Sequence, residues 1–342
     1  MAPLSLYASF YSSLIKSLLS LVFARLYAPQ RPILRDLSGQ IAIVTGSNSG
    51  LGLSIATSLS KQGATVYLAC RNIDKGQAAI KEIVKTAGEK SADRLFCWKL
   101  DTSDSDSVRA FCEKWQQDRR PIDMLVHNAG IASAPNTGAS KSVDGLELVY
   151  ATNFLGSFLM THLLEQSLSK NARVVFTSST GSYSGMNILA EPPAVLTAGA
   201  AVYGRSKALQ VLFAHALQQH FAQNSRNKRS AHAFTPGFTS SPIFGKFEIT
   251  WTTWVSNPLF AILKVTEKHV AVDTDEGAKT GAWLAGAGDT IEGGRYWERQ
   301  KTRTSIVDLS RGALGEDAFW SAVRTQWRRW ESDAKVQWTT DL

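Results

Sequence analysis

Thr45-Gly46-Ser47-Asn48-Ser49-Gly50-Leu51-Gly52 decides how the rest of this 342-residue chain is read. It follows a short apolar run, Ile41-Ala42-Ile43-Val44, and opens an amphipathic segment ending near Lys61-Gln62-Gly63. The pattern predicts strand, glycine turn and helix. Glycines let backbone approach a diphosphate closely, and the amides at a helix N-terminus face its negative charge. Gly46, Ser49, Gly50 and Gly52 would line that turn. The spacing is T-G-x-x-x-G-x-G rather than the commoner G-x-G-x-x-G.

Outward from this turn, short apolar runs alternate with helical patterns. Strands are expected at Ala64 to Ala69, Arg94 to Leu100, Ile122 to His127, Arg173 to Thr177 and Arg229 to Phe234. Helices are expected at Ile73 to Ala87, Ser105 to Gln117, within Val143 to Ser169, and at Val202 to Gln223. Such alternation predicts an α/β fold, a single Rossmann-type doubly wound parallel sheet with helices on both faces. Ligands then sit at the C-terminal strand ends. Three segments follow: residues 1–36 as an N-terminal helix and linker, 37–300 as the Rossmann-type domain, and 301–342 as a helical extension.

Composition narrows the function. With 44% hydrophobic residues the chain can build a sizeable core, and its net charge of +8 is spread out. No nucleic-acid reader motif accompanies that charge, so a nucleic-acid partner is not expected. Cys70, Cys97 and Cys112 have neither metal-ligand spacing nor the even count of a disulfide framework, and read as reduced core thiols.

In residues 4 to 26, Leu4, Tyr7, Tyr11, Leu14, Leu18, Val22 and Leu26 recur at helical spacing, joined by Phe10, Ile15, Leu19 and Phe23, while Ser5, Ser9, Ser12, Ser13, Lys16, Ser17 and Ser20 recur on the other side. This is an amphipathic pattern suited to a membrane interface. Lys16 near the centre argues against a span. Packing on the protein's own body and a mitochondrial presequence are the alternatives. The expected location is the cytoplasmic side of an intracellular membrane, endoplasmic reticulum or lipid droplet, with mitochondria left open.

Residues at the strand ends suggest the chemistry. Arg71, rather than a carboxylate, follows the second strand where an adenosine ribose should lie; a guanidinium can pair with a 2′-phosphate, favouring NADP(H) over NAD(H). Asp101 could accept a hydrogen bond from an adenine amino group, or cap the following helix with Thr102 and Ser103. Asn128-Ala129-Gly130 closes the fourth strand with small residues. Tyr203 and Lys207, four apart on a helix, share one face, and an adjacent cation lowers a phenol's pKa.

Thr45 to Gly52, Asn128-Ala129-Gly130, Asn153, Ser179, Tyr203/Lys207 and Pro236-Gly237 occur in that order. Together they resemble the short-chain dehydrogenase/reductase superfamily over roughly residues 38 to 300. Val66 to Arg71, Phe158 to Leu164, Gly293-Gly294-Arg295-Tyr296 and the 24-residue interval from Ser179 to Tyr203 are similar to its retinol-dehydrogenase-like branch. The resemblance implies Tyr203 as general acid and base, Lys207 lowering its pKa and holding the nicotinamide ribose, and Ser179 bonding the substrate oxygen. It implies Asn153 in a water-linked proton relay. Leu51, Asn128, Ala129, Gly130, Pro236, Gly237, Thr239 and Ser241 would contact the cofactor. His127 replaces a family Asn and is read as structural.

Phe238, Phe244, Phe247, Trp251, Trp254, Leu259 and Phe260 crowd the region, about 238–273, that the resemblance makes the substrate lid of a catalytic domain over 37–300, implying an apolar, bulky substrate. The expected activity is interconversion of a carbonyl and an alcohol on a lipophilic small molecule such as a retinoid, steroid, fatty-acyl or polyketide-type compound. A silent NADP(H)-binding sensor is the alternative; intact Ser179, Tyr203, Lys207 and Asn153 weigh against it. Asp317 to Ala334 predicts a C-terminal helix packed on the domain. A homo-oligomer is compatible with all of this.

Overall fold

The computed structural model describes residues 2–32, 34–132, 140–185, 188–189, 200–223, 226–240, 265, 270–287 and 291–338. Phe244, Phe247, Trp251, Trp254, Leu259, Phe260 and Ser241 lie outside them, as does most of the insertion before Tyr203.

Eight strands form one sheet in the order β3-β2-β1-β4-β5-β6-β7-β8. They are β1 (Ile41–Thr45), β2 (Thr65–Cys70), β3 (Leu95–Lys99), β4 (Ile122–His127), β5 (Leu168–Thr177), β6 (Ser230–Thr235), β7 (Arg295–Glu298) and β8 (Lys301–Arg303). Pairing is parallel from β3 through β7 and antiparallel between β7 and β8. The doubly wound fold is as expected; β7 and β8 extend it. Strand order reverses between β1 and β4, opening a crevice at their C-terminal ends. The middle of β1 is apolar, with Ala42, Ile43 and Val44 fully buried, because both sheet faces are covered.

Helices α1 (Leu4–Val22), α2 (Gly50–Lys61), α3 (Ile73–Ala87), α4 (Ser105–Asp118), α5 (Leu148–Tyr150) and α6 (Gly156–Leu164) come first. Then follow α7 (Ala200–Ala222), α8 (Thr274–Gly286), α9 (Ile306–Leu314) and α10 (Glu316–Ala334). The long helix expected within Val143 to Ser169 is present as one helical run: a π-helical turn, Ala151–Leu155, joins α5 to α6, and a 3₁₀ turn over Glu165–Ser167 ends α6. Leu168 then enters β5 opposite Ile122.

The C-terminal α10 covers α6 and α7 with aromatic side chains. Trp330 meets Phe154 edge-on at 4.8 Å and Trp327 meets Phe158 at 5.3 Å between ring centroids. Each such pair adds about 0.5–1.5 kcal/mol beyond area burial.

Helix α1 packs on the body by its polar side. Ser17 and Ser20 donate to the Glu298 carboxylate at 2.9 and 2.5 Å, and Arg303 Nε donates to it at 2.7 Å. Glu298 is fully buried, and a buried carboxylate is tolerated only when paired and hydrogen-bonded. Phe10, Ser13, Ser17, Ser20 and Ala24 therefore point inward, while Tyr11, Ile15, Leu19, Val22, Phe23 and Leu26 are exposed. Among the described residues, no helix is long and apolar enough to cross a membrane.

Candidate active site

The glycine turn sits at the crevice between β1 and β4. Gly46 has φ +65°, a conformation costly for residues with a Cβ, and a Cβ there would stand 2.8 Å from the Ala129 Cα. At Gly52 a Cβ would stand 2.4 Å from Asn128 Nδ2 and 2.6 Å from the Gly46 carbonyl oxygen. The Thr45 hydroxyl accepts the amides of Asn128 and Ala129, each at 2.9 Å, and Asn128 Nδ2 donates to the Thr45 carbonyl at 3.1 Å. The end of β4 is thus bolted to the turn. Ser49 begins α2 without a side-chain cap, so the helix presents its first amides outward. A diphosphate fits this cradle.

At the adenosine end, Arg71 is exposed, with its guanidinium 3.9 Å from Asp101. Asp101 caps no helix. Its Oδ1 accepts from the Ser103 amide and hydroxyl at 3.0 and 2.6 Å, and Asp104 caps α4 by accepting from the Asp106 and Ser107 amides. The Asp104 position takes that role because its carboxylate directly precedes the first helical turn.

The catalytic candidates converge one strand further on. Tyr203, in the first turns of α7, stands beside Ser179 over Gly181, where a Cβ would be 3.4 Å from Tyr203 Cε1 and 3.5 Å from Ser179 Oγ. Burial pushes the phenol's pKa up, against the lowering pull of the Ser179 hydroxyl. Lys207 lies below, its Nζ 5.7 Å from the Tyr203 ring centroid. Burial pushes the Lys207 pKa down to about 7. Its Nζ donates to the Thr177 carbonyl at 2.8 Å and to Gln210 Oε1 at 3.3 Å. Ser178, the neighbour most easily confused with Ser179, turns away and donates to the Lys207 carbonyl at 2.7 Å. Ser179 is fixed from behind by Tyr296, whose hydroxyl donates to the Ser179 carbonyl at 2.9 Å.

Asn153 lies in the π-helical turn, and such turns frequently mark functional positions. Its Oδ1 accepts from the Ile131 amide at 2.7 Å; its Nδ2 donates to the Ile131 carbonyl at 2.8 Å and to Ser206 Oγ at 3.0 Å. Gly130 lies between the two groups: a Cβ there would be 3.1 Å from Asn153 Oδ1 and 3.3 Å from Lys207 Nζ. Leu51 and Thr239 meet over Gly277, where a Cβ would stand 3.1 Å from Leu51 Cδ2 and 2.2 Å from Thr239 Cγ2. Thr239 is buried, and Gly237, after Pro236, has φ +76°. His127 is fully buried, hydrogen-bonded to Thr161 at 2.8 Å and stacked on Phe176. Burial holds it neutral, down to about 3. Sequence reasoning missed Gln210. Its spacing of three from Lys207 on a helix was the available signal.

Comparison with known proteins identifies the family. The family model of short chain dehydrogenases matches residues 40–250. Retinol dehydrogenase 11 of Mus musculus is 32% identical over 304 residues, covering 83% of this chain and 89% of the relative. Retinol dehydrogenase 12 of Mus musculus is 31% identical over 293 residues, covering 84% and 85%. A crystal structure of an uncharacterised protein from Mycobacterium paratuberculosis superposes with a TM-score of 0.63 at 25% identity, over 90% of this chain and 97% of that one. The chain belongs to the short-chain dehydrogenase/reductase superfamily, in its retinol-dehydrogenase-like branch.

Proposed function

We propose that the protein is an NADP(H)-dependent oxidoreductase that interconverts a carbonyl and an alcohol on a lipophilic small molecule at a membrane surface. The observation that carries this reading is Tyr203 against Ser179, with Lys207 beneath them, one strand from the glycine cradle. A bound nicotinamide supplies or accepts the hydride. Ser179 orients the substrate oxygen and Tyr203 gives it a proton in reduction or takes one in oxidation. Lys207 favours the phenolate when charged. Asn153 holds the Ile131 backbone and Ser206 in fixed positions around Lys207.

Arg71 supports NADP(H). Its exposed pairing with Asp101 is weak, so the guanidinium can exchange it for a 2′-phosphate. Arg71→Glu is expected to lower kcat/KM with NADPH roughly 100-fold and to change the NADH value little. Equal losses with both cofactors would contradict the assignment.

The exposed apolar side of α1 supports the membrane surface. Leu21 of α1 packs against Phe238, Val270 and Ala271, and Arg25 Nε donates to the Ala271 carbonyl at 3.0 Å. The helix thus adjoins the borders of the expected lid, a route for a lipophilic substrate from the bilayer. Replacing both Ile15 and Leu19 with Glu is expected to weaken co-sedimentation with phosphatidylcholine vesicles at least ~10-fold. The Ser17 and Ser20 contacts to Glu298 stay intact. Unchanged vesicle binding would sink the membrane reading.

A further inference from the structure

We infer that Gln210 is a positioning residue that ties the Lys207 ammonium to the backbone of Asn153 and so sets the pH at which Lys207 gives up its charge. This rests on the carbonyl–alcohol reading above for its consequence in catalysis, though not for its geometry. Gln210 lies one turn beyond Lys207 on α7 and is fully buried. Its Oε1 accepts from Lys207 Nζ at 3.3 Å, and its Nε2 donates to the Asn153 carbonyl oxygen at 2.6 Å. The amide is oriented by the two contacts: only an oxygen can face an ammonium, and only an N–H can face a carbonyl.

Lys207 has few supports for its charge. From β5 it receives the Thr177 carbonyl; from its own helix it receives Gln210 Oε1, and Tyr203 is the titratable group beside it. From the Ala151–Leu155 turn comes neutral Asn153, and from the end of β4 only Gly130. Among the described residues, burial is what pushes its proton affinity down. Neutral acceptors therefore carry the ammonium, and Gln210 is one of two named here. Its other end is anchored to the π-helical turn, so it also fixes the distance between Lys207 and Asn153.

Removing one acceptor destabilises the ammonium and leaves the neutral amine almost untouched, so Lys207 loses its proton at lower pH. Because Gln210 is fully buried, it has no surface for the cofactor.

The test is the pH titration of the Lys207 side chain, followed as the Cε carbon shift in protein labelled at lysine and assigned by its loss in Lys207→Met, with NADP⁺ bound and without it. Gln210→Met keeps length and volume but offers no acceptor or donor. It is expected to move the Lys207 titration down by about one pH unit, the scale of one charge-assisted hydrogen bond. NADPH affinity should stay at the wild-type value. Gln210→Asn retains a polar amide too short to span both partners; it should shift the titration less, in the same direction, and it carries the test if the Met variant does not fold. An unmoved titration in a folded variant overturns the inference. A moved titration without turnover of any carbonyl compound upholds the positioning role and rejects the reaction reading instead.

Discussion

Tyr203→Phe is expected to lower carbonyl turnover by roughly 10³-fold while NADPH binding stays close to wild type. The substitution removes one oxygen and keeps the ring, so packing at the start of α7 survives. What disappears is the proton donor. Burial raises the Tyr203 pKa, so at neutral pH the phenol is protonated, the form that reduction requires. Among the described residues, no neighbour can replace it. Ser179 is a hydroxyl without a base, and Lys207 is turned toward Thr177 and Gln210. Tyr183 points elsewhere, its hydroxyl 3.3 Å from the Thr304 carbonyl, and burial pushes its pKa up. Initial rates with a fixed carbonyl substrate, beside an NADPH fluorescence titration, separate lost chemistry from lost binding. Parallel loss of both would mean that Tyr203 is chiefly structural.

Gly46→Val is expected to weaken NADPH binding by at least ~100-fold. Two independent penalties fall on the same position. The backbone lies at φ +65°, which a β-branched residue strongly resists, and the added Cβ would press into the Ala129 backbone at 2.8 Å. Relief requires β1 and β4 to part at their C-terminal ends, where the Thr45 hydroxyl joins them through the Asn128 and Ala129 amides. That is the floor of the cradle. The sheet below, with Ile43 and Val44 fully buried, should persist, so circular dichroism should remain near native while the fluorescence titration fails. Near-native NADPH affinity in this variant would place the cofactor elsewhere.

The parts of this molecule legible in the sequence are those whose signal is local. Thr45 to Gly52 announces itself through glycine spacing, and Tyr203 and Lys207 through one helical turn. Asn153 was reachable only through the family resemblance, because the π-helical turn that places it has no sequence signature of its own. The β7–β8 hairpin escaped notice for a clear physical reason. Its two turn residues, Arg299 and Gln300, have φ of 49° and 60°, a geometry usually signalled by Asn-Gly. Contacts from the N-terminal segment hold it instead: Arg299 donates to the Ala28 carbonyl and Gln300 Nε2 to the Arg31 carbonyl at 3.1 Å. The orientation of α1 was equally hidden. The sorting of its residues was visible, but which side faces the protein depends on Glu298, nearly 280 residues later and buried. Gln210 went unnoticed because a glutamine in a helix is ordinary until its two ends find Lys207 and Asn153.

The most direct test of the central claim is oxidation of NADPH, compared with NADH, by the purified protein over a panel of lipophilic aldehydes and ketones, retinoid-type aldehydes included. The account predicts turnover that prefers NADPH, favours bulky apolar substrates and vanishes in Tyr203→Phe. Tight NADPH binding without turnover across the panel would contradict it and favour a protein that senses the cofactor on the same fold.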